Sequence, residues 1–191
     1  MTQRLIILDR DGVINHDSDA YIKAPEEWRP IAGSLEAIAR LSQAGYRIAI
    51  ATNQSGLARG LFNRATLDAI HQHLRERVTA AGGRIDWIAL CPHGPDDGCA
   101  CRKPRPGLLL EIAEHFGMNL TDVPVIGDSR RDLQAALAAG AQPWLVLSGN
   151  GQRTLAQLRT APEIGIDLET LPIYPDLSAA TTALLDSLSG S

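Results

Sequence analysis

The sequence has little of several features that mark specialised classes of protein. Aromatic residues make up only 4% of its 191 residues, and there are only three cysteines. So few cysteines cannot build the disulfide framework on which small secreted domains depend. Basic residues do not outnumber acidic ones, and the formal net charge is −4. The sequence therefore lacks the surplus of positive charge that attracts nucleic acid or an anionic membrane.

Long apolar runs are also missing. No stretch approaches the roughly 20 residues that a membrane-spanning helix needs. The first residues lead directly into an apolar run at Leu5–Leu8, without the charged and then apolar layout of a signal peptide. We therefore expect a cytoplasmic protein that binds neither nucleic acid nor membrane. We also expect a monomer, although nothing in the sequence specifies the oligomeric state.

Strand-like and helix-like patterns alternate along the first 150 residues. This alternation predicts an α/β fold, a Rossmann-like parallel sheet with helices on both faces, in one domain over residues 1–191. The tail from about residue 150 to 191 is expected to wrap the sheet edge and end in a short helix near Leu177–Leu188. Strands are predicted at Leu5–Leu8, Tyr46–Ala51, Ile85–Leu90, Val123–Ile126 and Trp144–Leu147, and helices at Ser34–Ala44, Asn63–Ala81, Gly107–Phe116 and Ser129–Ala139.

Four of the predicted strands are followed by residues that can do chemistry. Open α/β sheets bind ligands at the carboxyl ends of their strands, so these residues are expected to meet at one edge. An acidic pair there can divide the work between a nucleophile and a general acid, although a D-x-D-G pattern alone also suits a solvated turn. The residues are Asp9 and Asp11, Thr52 and Asn53, Arg102 and Lys103, and Gly127 and Asp128.

The three cysteines fall in one short segment that also contains a histidine. Cys91, His93, Cys99 and Cys101 offer three thiolates and one imidazole, a normal ligand set for tetrahedral zinc. A disulfide between Cys99 and Cys101 is disfavoured in the cytosol, and a redox pair would be expected as C-x-x-C. Their spacing is not that of the common zinc fingers, so zinc is the favoured interpretation rather than the sole one.

Four segments resemble, in order, the motifs of the haloacid-dehalogenase (HAD) superfamily of phosphatases. They read D-R-D-G-V-I-N from Asp9, A-T-N-Q-S-G from Ala51, C-R-K-P from Cys101 and V-I-G-D-S-R-R-D from Val125. With the cysteine segment, they are similar to members that act on a heptose bisphosphate, and also to members that act on histidinol phosphate. Two positions depart from the usual pattern, because Val13 replaces a common Thr and Ser129 a common Lys.

The resemblance implies a phosphoric monoester hydrolase that depends on Mg²⁺. Asp9 would attack phosphorus to form an aspartyl-phosphate, and Asp11 would act first as general acid and then as base. Asp9, the backbone carbonyl of Asp11, and Asp128 would hold Mg²⁺, with Asp132 behind them. The remaining residues expected to stabilise the phosphoryl group are Thr52, Asn53, Arg102 and Lys103.

Substrate contacts are expected from short loops, because the segments between the motifs leave no room for a cap domain. Arg102 and Arg59 could reach a second phosphate on a small phosphorylated sugar. A structural zinc in the loop of residues 91–101 would hold the segment that aims Arg102 and Lys103. The residues expected to bind substrate are Asp17, Ser18, Asp19, Tyr21, Thr52, Asn53, Gln54, Ser55, Arg59, Arg102, Lys103 and Ser129.

One alternative belongs to a different class of protein. Phosphoacceptor signalling modules also use an acidic pair, a Thr and a Lys-Pro, but their phosphorylated Asp lies on a middle strand. Here Asp9 and Asp11 follow the first strand, which favours turnover over storage of a phosphate. His71 and His73 lie on a charged helix and are predicted to be solvated, with no assigned role.

Overall fold

A computed structural model describes residues 4–161 and 165–189; the ends of the predicted domain and residues 162–164 lie outside this description. Its centre is a six-stranded parallel sheet in the order β3-β2-β1-β4-β5-β6. The strands are β1 (Arg4–Leu8), β2 (Tyr46–Asn53), β3 (Trp87–Cys91), β4 (Pro124–Gly127), β5 (Gln142–Val146) and β6 (Ile173–Tyr174). The helices are α1 (Ser34–Gln43), α2 (Arg64–Ala80), α3 (Gly107–Phe116), α4 (Arg130–Ala138), α5 (Gly151–Thr160) and α6 (Leu177–Ser189).

Successive side chains of β1 point to opposite faces of the sheet, and both faces are covered. Ile6 and Leu8 pack in a core with residues of α1, α2 and α6. Leu5 and Ile7 pack on the other face with residues of α3 and α4. Burial on both faces explains why the strands are almost continuously apolar. The predicted parallel sheet with helices on both faces is confirmed.

The strand order fixes where the site lies. From β1 the chain continues to β2 and β3 on one side of the sheet, and from β4 it continues to β5 and β6 on the other side. Sheets of this kind bind ligands at the carboxyl ends of the two strands where the direction changes, here β1 and β4. The Asp9 amide donates to the Ile126 carbonyl at 2.9 Å, which joins the ends of these two strands. Between Asp9 and Lys103 the described chain holds a short 3₁₀ turn at Pro25–Glu27, α1, α2, β2 and β3. No cap therefore covers the carboxyl edge from this segment.

The tail differs from its prediction. It contains α5 and a sixth strand, β6, in addition to the predicted helix near Leu177–Leu188, which the structure places as α6. Leu158 packs against Leu133 and Leu145, so α5 extends the core at this end of the sheet. Helix α5 was not predicted, because its sequence is short and mostly polar and only one narrow face of it is buried.

None of the helices in the described part of the chain is both long enough and apolar enough to cross a membrane.

Candidate active site

A pocket of about 360 Å³ lies at the carboxyl edge of the sheet. It brings together every residue predicted to act on or bind the substrate. The predicted residues that line it are Asp9, Asp11, Asp17, Ser18, Asp19, Tyr21, Thr52, Asn53, Gln54, Ser55, Arg59, Arg102, Lys103, Asp128, Ser129 and Asp132. Arg10, Asn150 and Arg131 also line it and were not predicted.

Lys103 is the buried cation at the base of this pocket. Its ammonium lies 2.9 Å from Asp9 Oδ1 and 2.6 Å from Asp132 Oδ1, and it donates to the Ala51 carbonyl at 2.7 Å. Three oxygens therefore occupy the three donors of the ammonium. Burial alone would lower the pKa of Lys103, but Asp132 and Asp9 raise it above its ordinary value. Lys103 is thus held as a fixed positive charge.

Asp9, Asp128 and Asp132 form what we call the carboxylate cluster, with one oxygen of each within 4.8 Å of the others. Burial and the neighbouring charge of Asp132 raise the pKa of Asp9 well above its ordinary value. Burial and Asp132 also raise the pKa of Asp128 to about 6. The positive charge of Lys103 therefore does not offset the burial and mutual repulsion of these carboxyl groups.

Asp128 is held in place by backbone that approaches it closely. The Asn150 amide donates to Asp128 Oδ2 at 2.7 Å. Gly12 has φ +84°, and a Cβ at that position would lie only 2.0 Å from the same oxygen. Glycine is therefore required at position 12 for conformation and for space. Asn150 could have been found by applying the strand-end rule to the fifth strand.

Asp11 is surrounded by hydrogen-bond donors. Arg10 donates through Nε and Nη2 to Oδ1 at 3.1 and 3.0 Å and through Nη2 to Oδ2 at 2.9 Å. Asn15 donates to Oδ1 at 2.8 Å and Gln54 to Oδ2 at 3.0 Å. Burial would raise the pKa of Asp11, but the Arg10 charge and these hydrogen bonds lower it overall. Asp11 is therefore a carboxylate with a fixed orientation.

The end of β2 forms one wall of the pocket. Asn53 donates to the Lys103 carbonyl and accepts from the Lys103 amide, both at 3.1 Å. Gln54 donates to Thr52 Oγ1 at 2.8 Å, in addition to its contact with Asp11. The Asn53 amide thus fixes the backbone of Lys103, while Gln54 links Thr52 to the acidic pair.

The pocket rim is polar and more exposed. Asp17 accepts a hydrogen bond from Asn150 at 3.3 Å, and the Arg59 guanidinium lies 5.8 Å from the centre of the Tyr21 ring. Ser129 donates to Asp132 Oδ2 at 2.5 Å, so its hydroxyl orients a carboxylate of the cluster.

The prediction that His71 is solvated is wrong. Its side chain is buried against Arg10, with Nε2 3.2 Å from Arg10 Nη1. Burial and the Arg10 charge lower the pKa of His71 to about 3. His73 is partly buried, and its ring packs edge-on against Trp28 at 5.8 Å. The α2 face that carries Leu67, Ile70 and Leu74 also carries His71, a signal present in the sequence.

Cys91, His93, Cys99 and Cys101 converge in what we call the thiolate loop. The sulfur atoms lie 3.1 to 3.6 Å apart, and His93 Nδ1 lies 3.3 Å from Cys101 Sγ. Sulfurs bonded to one tetrahedral zinc at about 2.3 Å would lie about 3.8 Å apart, slightly farther than here. A disulfide would require about 2.0 Å. The donor set and its size fit a tetrahedral metal, and the cysteines are not paired with one another.

The thiolate loop is tied to the pocket by hydrogen bonds. Arg102 donates to the His93 carbonyl at 3.0 Å, and Arg105 donates to the Cys99 carbonyl. The Gln54 amide donates to the Cys91 carbonyl at 2.8 Å. The loop therefore fixes the segment from which Arg102 and Lys103 extend.

Two family models match the sequence. One describes polynucleotide kinase 3 phosphatases and matches residues 4–131, about two thirds of the chain. The other describes HAD-hydrolase-like proteins and matches residues 100–170. Both matches include residues of the pocket.

Similar proteins are known from several bacteria. A D-glycero-β-D-manno-heptose-1,7-bisphosphate 7-phosphatase of Bordetella bronchiseptica is 60% identical over 154 residues, 81% of this chain and 86% of the relative. One of Pseudomonas aeruginosa is 55% identical over 185 residues, 97% of this chain and 99% of the relative. A crystal structure of the B. bronchiseptica D,D-heptose 1,7-bisphosphate phosphatase, complexed with magnesium and phosphate, superimposes with a TM-score of 0.90 at 54% identity and covers 97% of this chain and 99% of its own.

Proposed function

The chain belongs to the HAD-like phosphatases, and from this premise we propose that it removes the carbon-7 phosphate of D-glycero-β-D-manno-heptose 1,7-bisphosphate. The product would be heptose 1-phosphate, used in nucleotide-sugar and lipopolysaccharide core biosynthesis. Membership of the family confirms the enzyme class that the four motifs predict, a phosphoric monoester hydrolase. The substrate is proposed from the names of relatives that match almost the whole length of the chain.

The contact between Asp9 and Lys103 carries the catalytic part of the proposal. Phosphate monoesters resist hydrolysis because an anionic nucleophile must approach an anionic group. Lys103 lies 2.9 Å from Asp9 and is buried, so its charge acts at the nucleophile with little screening by water. Such a preorganised cation stabilises charge that develops on the transferring phosphoryl oxygens.

Asp9 attacks phosphorus, the bond to the sugar oxygen breaks, and an aspartyl-phosphate forms. The Asp9 Oδ1 atom is engaged by Lys103 and by the Arg10 amide at 2.8 Å, which leaves Oδ2 as the attacking oxygen. Thr52 and Asn53 line the pocket beside it and are proposed to contact the phosphoryl oxygens.

Asp11 handles the protons in both halves of the reaction. For the first half Asp11 must carry a proton, although the Arg10 charge and the hydrogen bonds lower its pKa, and it gives this proton to the departing sugar oxygen. As a carboxylate it then takes a proton from the water that attacks phosphorus, the bond between phosphorus and Asp9 breaks, and inorganic phosphate leaves. The two hydrogen bonds at Asp11 Oδ2, against three at Oδ1, make Oδ2 the oxygen that exchanges the proton.

Mg²⁺ fits the carboxylate cluster. We propose that Asp9, the backbone carbonyl of Asp11, and Asp128 hold it, because Mg²⁺ prefers carboxylate and carbonyl oxygens. The raised pKa values of Asp9 and Asp128 support this assignment, since burial and the charge of Asp132 disfavour their ionised forms and a bound cation would offset both effects. When bound, Mg²⁺ supplies that charge to the cluster and to the phosphoryl oxygens.

Zinc is proposed for the thiolate loop, with a structural purpose. Four protein ligands fill a tetrahedral zinc and leave no open position for substrate. Arg102 and Arg105 bind carbonyls of the loop, so an ordered loop holds the Arg102–Lys103 segment at the pocket.

Arg102 and Arg59, which both line the pocket, are proposed to bind the phosphate on carbon 1. A guanidinium suits this task, because its donors match the oxygens of a phosphate. Within residues 4–161 and 165–189 no cap domain covers the pocket, and we propose that residues 1–191 form one domain in which these short loops determine specificity.

Phosphorus NMR of the products tests the proposal. We expect the carbon-7 ester signal to disappear while the carbon-1 signal persists. Comparison of kcat/KM for the bisphosphate and for histidinol phosphate tests the alternative substrate. A persistent carbon-7 signal, or a higher kcat/KM for histidinol phosphate, would contradict the proposed substrate.

A further inference from the structure

Arg10 stands between the two aspartates of the acidic pair in the sequence, and it lines the pocket although its side chain is almost fully buried. It is the largest buried charged side chain in the described residues, with 2% of its surface exposed. A buried guanidinium must be paired and hydrogen-bonded to be tolerated. Its partners are Asp11 on one side and His71 of α2 on the other.

The hydrogen bond between Arg10 and His71 can have only one direction of donation. Arginine has no acceptor, so Arg10 Nη1 donates and His71 Nε2 accepts. His71 must therefore be neutral, with its proton on Nδ1. This choice of tautomer leaves the whole positive charge of the pair on Arg10, directed at Asp11.

The opposite end of the guanidinium fork fixes both oxygens of Asp11. Nε and Nη2 together make three contacts of 2.9 to 3.1 Å. A fork of this kind restricts rotation of a carboxylate far more than a single ammonium would. Asn15 also donates to Oδ1 and Gln54 to Oδ2, so Oδ1 accepts three hydrogen bonds and Oδ2 two.

We propose that Arg10, with His71 behind it, is a positioning pair that aims Asp11 at the oxygen of the leaving group. The inference rests on the proposed role of Asp11 as general acid and base. Proton transfer needs heavy atoms within hydrogen-bond distance, so a small rotation of Asp11 would lower its efficiency. Neither Arg10 nor His71 need touch the substrate.

The test is the dependence of rate on the leaving group. Aryl phosphates with acidic leaving groups depart without a proton, whereas alkyl phosphates need one. We expect Arg10→Lys, which keeps a charge but loses the fork, to slow an alkyl phosphate at least about tenfold more than 4-nitrophenyl phosphate. A plot of log(kcat/KM) against leaving-group pKa should become steeper.

A matched pair at position 71 keeps the test informative if Arg10 variants fold poorly. His71→Leu removes the acceptor and should steepen the same plot. His71→Gln offers an amide oxygen to Arg10 and should restore a slope close to that of the unchanged protein. His73→Leu, two residues along the same helix, is the control and should not alter the slope.

Equal loss of rate on all esters in Arg10→Lys and His71→Leu would overturn the positioning pair, since a smaller folded fraction lowers every rate alike. Absence of any ester hydrolysis by the unchanged protein with Mg²⁺ would instead overturn the proposed function. The two failures are therefore distinguishable.

Discussion

The carboxylate cluster and the thiolate loop are both groups that can hold a metal, but they are built in opposite ways. The thiolate loop takes its four ligands from residues 91–101. The carboxylate cluster takes Asp9 from the end of β1 and Asp128 and Asp132 from the end of β4 and the first turn of α4. One forms within a short segment, whereas the other requires that distant parts of the sequence meet.

Their electrostatics differ as well. In the thiolate loop, the four donors match the coordination number of one zinc ion, so a zinc bound there would have no open coordination position for substrate or water. In the carboxylate cluster, Lys103 forms ion pairs with Asp9 and Asp132, yet the pKa values of Asp9 and Asp128 are raised. Perturbed carboxyl groups in a pocket mark a functional site. We propose that the thiolate loop supports structure, because its four donors can fill one metal ion, and that the carboxylate cluster supports the reaction, because it lines the pocket.

The largest effect is expected from Asp9→Asn. The amide is not a nucleophile, and it also removes a negative ligand from the carboxylate cluster, so turnover should be abolished with any phosphate ester. The assay is hydrolysis of 4-nitrophenyl phosphate with Mg²⁺, with circular dichroism as the control for folding. Residual turnover near that of the unchanged protein would show that Asp9 is not the nucleophile.

Asp11→Asn should have the next largest effect. The backbone carbonyl remains for the metal, but proton transfer is lost, so kcat on a sugar phosphate should fall by a factor on the order of 10² or more. Mg²⁺ affinity, measured by titration calorimetry, should change little. An unchanged kcat would exclude Asp11 as the general acid and base.

Arg102→Ala should show which of the two phosphates of the substrate Arg102 binds. Loss of a charge-assisted contact should weaken transition-state binding of the bisphosphate by roughly 2–3 kcal/mol. The loss should be much smaller for 4-nitrophenyl phosphate, which has no second phosphate. Arg64→Ala, whose guanidinium pairs with Asp68 on α2, is the control. Equal losses on both esters would place Arg102 at the reacting phosphoryl group instead.

Cys99→Ser should affect stability more than chemistry. Replacement of one thiolate weakens the proposed zinc site, and Tm should fall because metal binding contributes to folding. The Tm, the zinc content and kcat should be compared with those of Asp96→Asn, an exposed change in the same loop. A normal Tm and zinc content with lost turnover would reverse the roles of the two clusters.

The smallest effect concerns pH. Asp128 has its pKa raised to about 6, above its ordinary value near 3.8. The metal-free folded protein therefore prefers the protonated group, and this contribution to stability is present below the ordinary pKa and lost as pH rises to about 6. Mg²⁺ replaces that proton, so the rise in Tm on adding Mg²⁺ should be larger at neutral pH than at pH about 5. An equal rise at both values would contradict the assignment of Asp128 as ligand.

The two clusters also differ in how the sequence predicts them. Cys91, His93, Cys99 and Cys101 can be recognised directly, because ligands so close in sequence must be close in space. Asp9 and Asp128 could be joined only through the rule that parallel strands end at the same edge. That rule was sufficient for the pocket because the strands that carry these residues are almost continuously apolar and buried.

Other parts could not be predicted in the same way. The direction of the Arg10 side chain depends on the turn after β1, and no local pattern specifies that it points at His71. His71 itself lies on the apolar face of α2, but its polar neighbours in sequence suggested a solvated position. Helix α5 has a single buried stripe within a polar segment, and β6 has only two residues. Tertiary contacts, rather than local preference, decide the direction of Arg10 and the formation of α5 and β6, whereas the helical spacing of Leu67, Ile70 and Leu74 was sufficient to predict that His71 is buried.

Metal content and turnover measured on the same sample test the division between the clusters most directly. Protein purified without chelator is treated briefly with EDTA, and its zinc content is measured by elemental analysis before and after this treatment. Hydrolysis of 4-nitrophenyl phosphate is assayed on the same samples. We expect about one zinc per chain to remain after treatment, turnover to be lost, and addition of Mg²⁺ alone to restore it. Protein without zinc at either stage, or turnover that returns with zinc and not with Mg²⁺, would contradict the assignment of structure to the thiolate loop and reaction to the carboxylate cluster.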